Sequence, residues 1–417
     1  MLACSAMTPP AARAVPKETF SIDYIVTILP ENPQIARVRW ELAGSDEINH
    51  FLLRFHPQRV QRLQGSGSLE SLAEGVVRWT PGGPYGHLTY RVAIDHERGS
   101  QHRFDSYSAA DWIVTRARDL FPRINVDWDR RGNGGAKSRA RLLFRLPPGW
   151  ESATAFPVIG PDTYFLNDPG KVLDRPRGWI ALGRLALDRQ EIGGTMLHVA
   201  RAPGALLHPK ELFGFLEDTL PSLQRLLLAE PQILLLVSAP DPMWRGGLSA
   251  ERSFFVHGDR PLRTPDRTSP YLHELFHVLQ PFKAAPDGDW ITEGLAEFYS
   301  LELQRRAGLI DAGAFVKALG YFERYGMWNV DLTQQHDNAA TNNSAPLIMY
   351  ALDQRIQRAT TGKRRLDDVV TRLAQHPTAV TTEHFRRVVR QVSGKTFDKF
   401  FTRQVLNGIP PSLANLQ

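Results

Sequence analysis

The sequence predicts an α+β protein: an N-terminal β-sandwich-like domain, then a mostly helical domain. Three observations carry this expectation. Residues 20 to about 200 alternate apolar and polar side chains with the period of half-buried strands. From about residue 205 the period lengthens to that of amphipathic helices. The joints between segments carry the turn and cap residues that suit each type. The expected division is a terminal stretch 1–19, a β domain 20–204 and a helical domain 205–417.

ARVRWEL at 36–42 sets Val38, Trp40 and Leu42 against Arg37, Arg39 and Glu41, a two-residue period. FSIDYIVTIL, HFLLRF, GVVRWT, LTYRVAID, RLLFRLP, GWIALGRLAL and MLHVARA follow as further strands, separated by Gly, Pro, Asn and Asp. RRGNGGAKSRAR has the composition of a hairpin loop, and SAADWIVTRA is expected to be a helical interruption. Beyond 205, ELFGFLEDTLPSLQRLLLAE has helical spacing and QILLLVSAP is a short buried strand. After an extended piece, RSFFVHG, helices are expected near 270–281, 290–307, 311–325, 344–361, 366–375, 382–392 and 397–406.

Hydrophobic residues make up 42% of the 417-residue chain and charged residues 23%, which excludes a disordered polyampholyte and suits ordinary cores. No apolar run has the length needed to cross a bilayer. The formal charge of +6 arises from clusters such as Arg130–Arg131 with Lys137, Arg139 and Arg141, and Lys363–Arg364–Arg365. These are spread over loops and interrupted by acids, so no nucleic-acid partner is expected. Cys4 is the only cysteine, which rules out an intrachain disulfide and a cysteine-based zinc site. Leu2-Ala3-Cys4 resembles a lipobox and Ala12-Arg13-Ala14 a cleavage site, but the apolar region of an export signal is missing. Export to a bacterial envelope, with Cys4 as a lipid anchor, is one expectation; a flexible terminus is the other.

The chemistry concentrates in HELFH, residues 273–277. Ser269-Pro270 starts a helix there, with a hydroxyl N-cap and proline at the first helical position. His273 and His277, four apart, share one face, so two imidazole nitrogens can hold one zinc ion. Glu274 lies about 100° further round, where a base can take a proton from water at that ion. A third ligand is needed. Fifteen residues separate His277 from Glu293 in Trp290-Ile291-Thr292-Glu293-Gly294, and a helical hairpin through PFKAAPDGD can return Glu293 to the metal. Glu297, one turn later, is placed to accept the other N–H of a ligating histidine.

HELFH followed by WITEGLAEFY resembles the gluzincin metallopeptidases, within them most nearly the M61-type glycyl aminopeptidase family and more distantly the M1-type aminopeptidases. LTYRVAID, RLPPGWESATAFP, the segment 345–373 and SGKTFDKFFTRQVLNG extend the resemblance over most of the chain. It implies a thermolysin-like catalytic domain behind a β domain, one zinc bound by His273, His277 and Glu293, and Glu274 as general base on a peptide or protein substrate. The chain as given ends near 417, with no room in it for the C-terminal PDZ module of many relatives.

Three positions depart from that pattern. The fifteen-residue spacing is shorter than is usual in the family. Ser249, in GGLSAERSFF, stands where the aminopeptidases carry the glutamate that holds the substrate amine, with Glu251 nearby. Asn342-Asn343-Ser344 stands where the family carries its oxyanion-stabilising tyrosine; Asn342, His336, Tyr325 and Tyr350 are the candidate substitutes. Two functions stay open from the sequence: a zinc-dependent, aminopeptidase-like peptidase, with endopeptidase action open within that class, and a catalytically impaired relative that binds peptides or proteins without cutting. In either, RSFFVHG is a candidate to pair with substrate backbone.

Overall fold

The computed structural model describes residues 18–45, 48–99, 102–128, 137–167, 173–335 and 339–415. Cys4, the rest of the expected terminal stretch through residue 17, His336 and residues 130–136 of RRGNGGAKSRAR lie outside these residues. The architecture is α+β, with a strand-rich N-terminal part and a mostly helical C-terminal part. Two compact units divide the chain, the first from the described residues of 1–94, 118–147 and 156–176, the second from 95–117, 148–155 and 177 onward.

The first unit holds two sheets. Seven strands run in the order Val158–Gly160, Thr163–Leu166, Lys137–Arg145, Glu18–Leu29, Asn32–Ala43, Tyr85–Ala93 and Val60–Gly65. Four more run as Arg123–Trp128, Ile48–Arg54, Val76–Thr80 and Ser68–Ala73. The alternation in ARVRWEL buries Val38, Trp40 and Leu42. Trp40 meets Phe51 and Trp79 of the four-stranded sheet edge-on, at 6.5 and 6.2 Å between ring centroids, and Phe51 stacks on Trp79. These large rings fill the layer between the two inner faces. The strands flanking RRGNGGAKSRAR do not form a hairpin. Arg123–Trp128 pairs with Ile48–Arg54, whereas Lys137–Arg145 pairs in parallel with Glu18–Leu29 in the other sheet.

In the second unit one five-stranded sheet runs Ala186–Ile192, Thr195–Arg201, Ile233–Ser238, Ser253–Val256, Gly247–Ala250. A second runs Glu151–Ala153, Trp179–Gly183, Trp112–Arg116, Phe104–Ser108, His96–Glu97. The expected helix at SAADWIVTRA is therefore corrected: Trp112–Arg116 is a strand with every residue buried, because aromatic and β-branched side chains pack well on a covered sheet. ILLLVS at 233–238 explains why the sheets pack as they do. Leu235 and Val237 join Trp112, Trp179 and Phe255 in a core between the sheets, while Leu234 and Leu236 join the helices on the opposite face. A strand buried on both faces reads as a continuous apolar run. The expected boundary at 204/205 falls inside this unit. The change of period at 205 marks the first long helix, whereas the unit already includes the strands that back its sheet.

The α-helices of the C-terminal part are Pro209–Leu227, Pro270–Leu279, Asp289–Arg306, Ala312–Tyr325, Ala339–Ala359, Leu366–Gln375 and Thr382–Ser393, followed by a short turn Asp398–Phe400 and a π-helical turn Phe401–Leu406. Ser269, Asp311 and Thr381 cap their helices with side-chain oxygens that accept from backbone N–H groups. Asp289–Arg306 is central. From Trp290 to Gln304 every residue is buried except Glu293 and Glu297. Among the described residues no helix is long and apolar enough to cross a membrane.

Gly294 lets this central helix approach Ala339–Ala359: a methyl group on it would lie 2.6 Å from Cβ of Ala345. Gly294→Ala should therefore push the helices apart and cost about 1–3 kcal/mol, read as a lower urea midpoint at unchanged m-value.

Candidate metal centre

Two helices build the site. Pro270–Leu279 buries Tyr271, Leu272, Leu275, Phe276 and Leu279, which leaves His273 and His277 on the less covered stripe. Ser269 begins this helix, its carbonyl accepting from His273 N–H at 3.0 Å. The central helix turns Glu293 and Glu297 to meet that stripe. Phe276 stacks on Tyr299 with rings nearly parallel and centroids 5.9 Å apart, fixing the two helices against each other.

The connection between them is short but braced. Lys283–Ala284 pairs in parallel with Ala379–Val380, and Ala285 N–H donates to Val380 O at 3.0 Å. Asp287 accepts from Thr382 N–H at 2.9 Å, and Trp290 Nε1–H donates to Thr382 Oγ1 at 3.0 Å. Residues far ahead in the chain thus hold the start of the central helix, so fifteen residues suffice for the return.

The structure brings four of the expected site residues together. His273 Nε2 and His277 Nε2 are 3.1 Å apart. Glu293 presents one carboxylate oxygen to each, Oε2 to His273 and Oε1 to His277, both at 3.3 Å. One ligand atom from each of the three residues can be chosen so that all lie within 4.8 Å of one another. Tetrahedral zinc with ligands at about 2.0–2.2 Å spaces its ligand atoms roughly 3.3–3.6 Å apart. The nitrogens and the carboxylate edges fall close to that spacing, so this donor set fits one divalent ion. The fourth residue, Glu297, accepts from His273 Nδ1–H at 2.7 Å. That bond fixes the tautomer in which Nε2 keeps its lone pair toward the site. Side-chain exposures of 12 to 19% for His273, His277, Glu293 and Glu297 leave the cluster reachable by a solute.

The charges agree with the geometry. Burial alone would lower the His273 pKa, but hydrogen bonds and charge from Glu293 and Glu297 hold it well above its ordinary value. Burial would raise Glu293, yet the charge of His277 and hydrogen bonds from both histidines hold it below the usual carboxylate range. The pocket favours positive charge, which a divalent cation supplies. Glu274 lies beside these groups, within reach of their charges. It is buried beside the stripe, and burial, opposed by the two histidines, raises its pKa.

Two contributors were not expected from the sequence. Gly247, on the edge strand, packs against Glu274: a methyl group there would lie 2.5 Å from Glu274 Cγ. Gln280 sits with Nε2 3.4 Å from His277 Nδ1, and its Oε1 is buried with no partner. Rotating that amide by 180° makes the oxygen an acceptor for His277 Nδ1–H. The i, i+3 spacing from His277 is visible in HVLQ, whereas the Gly247 contact crosses from sheet to helix and has no local signal.

Other candidates fall elsewhere. RSFFVHG cannot add a strand to itself, because Ser253–Val256 is paired on both sides; the edge strand next to it is Gly247–Ala250. Ser249 is exposed on that edge, and the Glu251 carboxylate is held by Arg177 at 2.8 and 2.9 Å. Tyr325 is 57% exposed and lies on Tyr321. Tyr350 packs on Phe315, and its hydroxyl pKa is raised by burial and then by Asp353 and Glu302. Glu302 is nine residues, about 13 Å, along the central helix from Glu293, which takes Tyr350 away from the cluster. Asn342 is half-buried one turn before Ala345, the residue that packs on Gly294.

No protein-family model and no curated protein sequence matches this chain. Solved structures share its fold. An aminopeptidase N family protein from Idiomarina loihiensis superposes with a TM-score of 0.74 at 15% identity, over 95% of this chain and 77% of that one. An M1 zinc metallopeptidase from Deinococcus radiodurans gives 0.60 at 16% identity over 96% of each chain. Aminopeptidase A from Legionella pneumophila, in complex with aspartic acid, gives 0.57 at 14% identity over 93% of this chain and 49% of that one.

Gly247→Ala should leave the protein folded but drive the Glu274 carboxylate out of its place. A crystal structure of the variant with Glu274 unmoved would contradict the contact.

Proposed function

We propose that the protein is a zinc-dependent peptidase of aminopeptidase-like type, with His273, His277 and Glu293 as the metal ligands. The convergence of these three side chains from two braced helices carries the reading. The resemblance of HELFH and WITEGLAEFY to the M61-type and M1-type enzymes supports it, as does the fold shared with M1 zinc metallopeptidases. Bound there, zinc would act as a Lewis acid on the scissile carbonyl and lower the pKa of water at the site.

The chain's own residues would do the rest. Glu297 orients His273 through Nδ1, and Gln280 does the same for His277. Glu274 takes a proton from the attacking water and passes it to the leaving amine. Its raised pKa suits a group that must both accept and return a proton. Gly247 holds that carboxylate in place and opens the edge strand Gly247–Ala250, whose outer side pairs with no strand among the described residues and would take an extended substrate backbone. Asn342, one turn before the Ala345 that packs on Gly294, would be the donor to the developing oxyanion on this reading.

One observation favours a second reading. The amine-holding glutamate is replaced by exposed Ser249, and Glu251 is engaged by Arg177. A catalytically impaired protein that binds peptides without cutting them would tolerate both changes.

Peptide-library cleavage separates the readings. Chelator-sensitive products are expected from the native protein, and zinc-loaded protein that cuts no peptide would favour the binder. Glu274→Gln should keep its zinc and lose about 10²–10⁴ in turnover; substantial remaining activity would remove Glu274 from the mechanism. Glu297→Gln should weaken zinc binding about 10–100-fold, measured by competition with a chromophoric chelator.

A further inference from the structure

The edge strand Gly247–Ala250 pairs antiparallel with Ser253–Val256, Gly247 opposite Val256 and Ser249 opposite Phe254. Its two faces differ. Leu248 and Ala250 pack on the core between the sheets, whereas a methyl group on Gly247 would meet Glu274. Side chains alternate along a strand, so Ser249 shares the Gly247 face, two residues and about 7 Å further on. The hydrogen-bonding groups alternate as well. Gly246 C=O accepts from His257 N–H at 3.1 Å. That register turns the N–H and C=O of Gly247 and Ser249 to the outer side of the sheet.

A peptide added antiparallel on this outer side meets Gly247 and Ser249 with its backbone. With the cleaved bond opposite Gly247, beside Glu274, the part of the substrate that precedes the bond runs along Leu248 and Ser249. A free α-amine on the residue before the bond would lie in this stretch.

The charges there do not suit an amine. An α-ammonium drawn out of water beside a metal cation requires a carboxylate. The side chain on the site's face is Ser249, an exposed neutral hydroxyl. Glu251, just beyond the strand, accepts from Arg177 at 2.8 and 2.9 Å. Glu293 and Glu297 are engaged by the two histidines. A substrate laid the other way would bring its amine toward Asp241 and Asp259. Asp241 is held by Arg103 and Arg245, and Asp259 meets His257 Nδ1 at 2.5 Å. Each of these carboxylates already has its partner. A peptide group in the same place brings no charge, and it completes the ladder at Ser249.

On the zinc-peptidase reading, we propose that the protein cuts where the residue before the cleaved bond is acylated: at internal bonds and in N-terminally blocked peptides, in preference to free N-termini. Water adds across the amide. Its oxygen stays on the acyl carbon, which becomes the carboxylate of the first fragment, and its protons leave the nitrogen as the amine of the second. The likeness to aminopeptidases then holds for the fold and the metal ligands and stops at Ser249, where the bound chain continues past the site.

The test compares a heptapeptide with its N-acetylated twin, both C-amidated, on the zinc-loaded full chain, with products mapped by mass spectrometry. Internal cleavage of the acetylated peptide is expected, at a kcat/KM at least equal to that of the free-amine peptide. Ser249→Glu, a change at an exposed position, should shift the preference toward the free amine about tenfold. Stepwise release of residues from the free N-terminus, with acetylation lowering kcat/KM tenfold or more, would overturn the proposal. So would an unchanged preference in folded Ser249→Glu. Cleavage of neither peptide would defeat the peptidase reading itself. The substrate class is then decided by calorimetric titration of the zinc-loaded protein with the same two peptides: acetylated peptide bound at least as tightly as its twin upholds it. Tenfold tighter binding of the free amine, or binding of neither, overturns it.

Discussion

The account depends on one constraint: the helices Pro270–Leu279 and Asp289–Arg306 must be locked in a register that sets His273 and His277 opposite Glu293. Each helix alone offers only a half-covered stripe of polar groups. Brought together, the stripes place two imidazole nitrogens 3.1 Å apart and a carboxylate oxygen 3.3 Å from each. Close approach of like lone pairs and partial burial of a carboxylate are unfavourable without a cation or protons among them. Packing elsewhere supplies the force that holds them there.

That force is distributed. The central helix is buried on nearly every side, and its one gap carries the two glutamates. Phe276 against Tyr299 fixes the helix pair, Gly294 admits Ala345, and the 379–382 segment pins the connection. At the far end buried Glu302 accepts from Arg305 and Arg306 at 2.7 Å and from Arg365 at 3.2 Å, while Arg306 also reaches Asp367. A buried carboxylate with several charge-assisted partners is costly to disturb, so this network sets the helix against its neighbours. The sheet contributes from the other side, where the Gly247 backbone limits where Glu274 can lie.

Much of the site was legible because its signals are local. A pair of histidines four apart, a hydroxyl cap and proline at the helix start, and glutamates four apart on the next helix follow from helical spacing alone. The helices beyond 205 were legible for the same reason. What escaped the sequence is non-local. WIVTR at 112–116 follows a pair of alanines and reads as a helix until the strands that cover it are known. RRGNGGAKSRAR has a turn's composition, yet its flanking strands go to different sheets. RSFFVHG has the look of an edge and is interior, because Gly247–Ala250 folds back over it. Gly247 and the 379–382 brace act across folds of the chain that no periodicity encodes.

The most direct measurement is anomalous diffraction at the zinc edge from crystals grown with equimolar zinc. One peak is predicted, about 2.0–2.1 Å from Nε2 of both His273 and His277 and about 2.0–2.2 Å from the Glu293 carboxylate. Absence of a peak between these side chains, or an ion held there with Glu293 turned away, would contradict the three-residue grip.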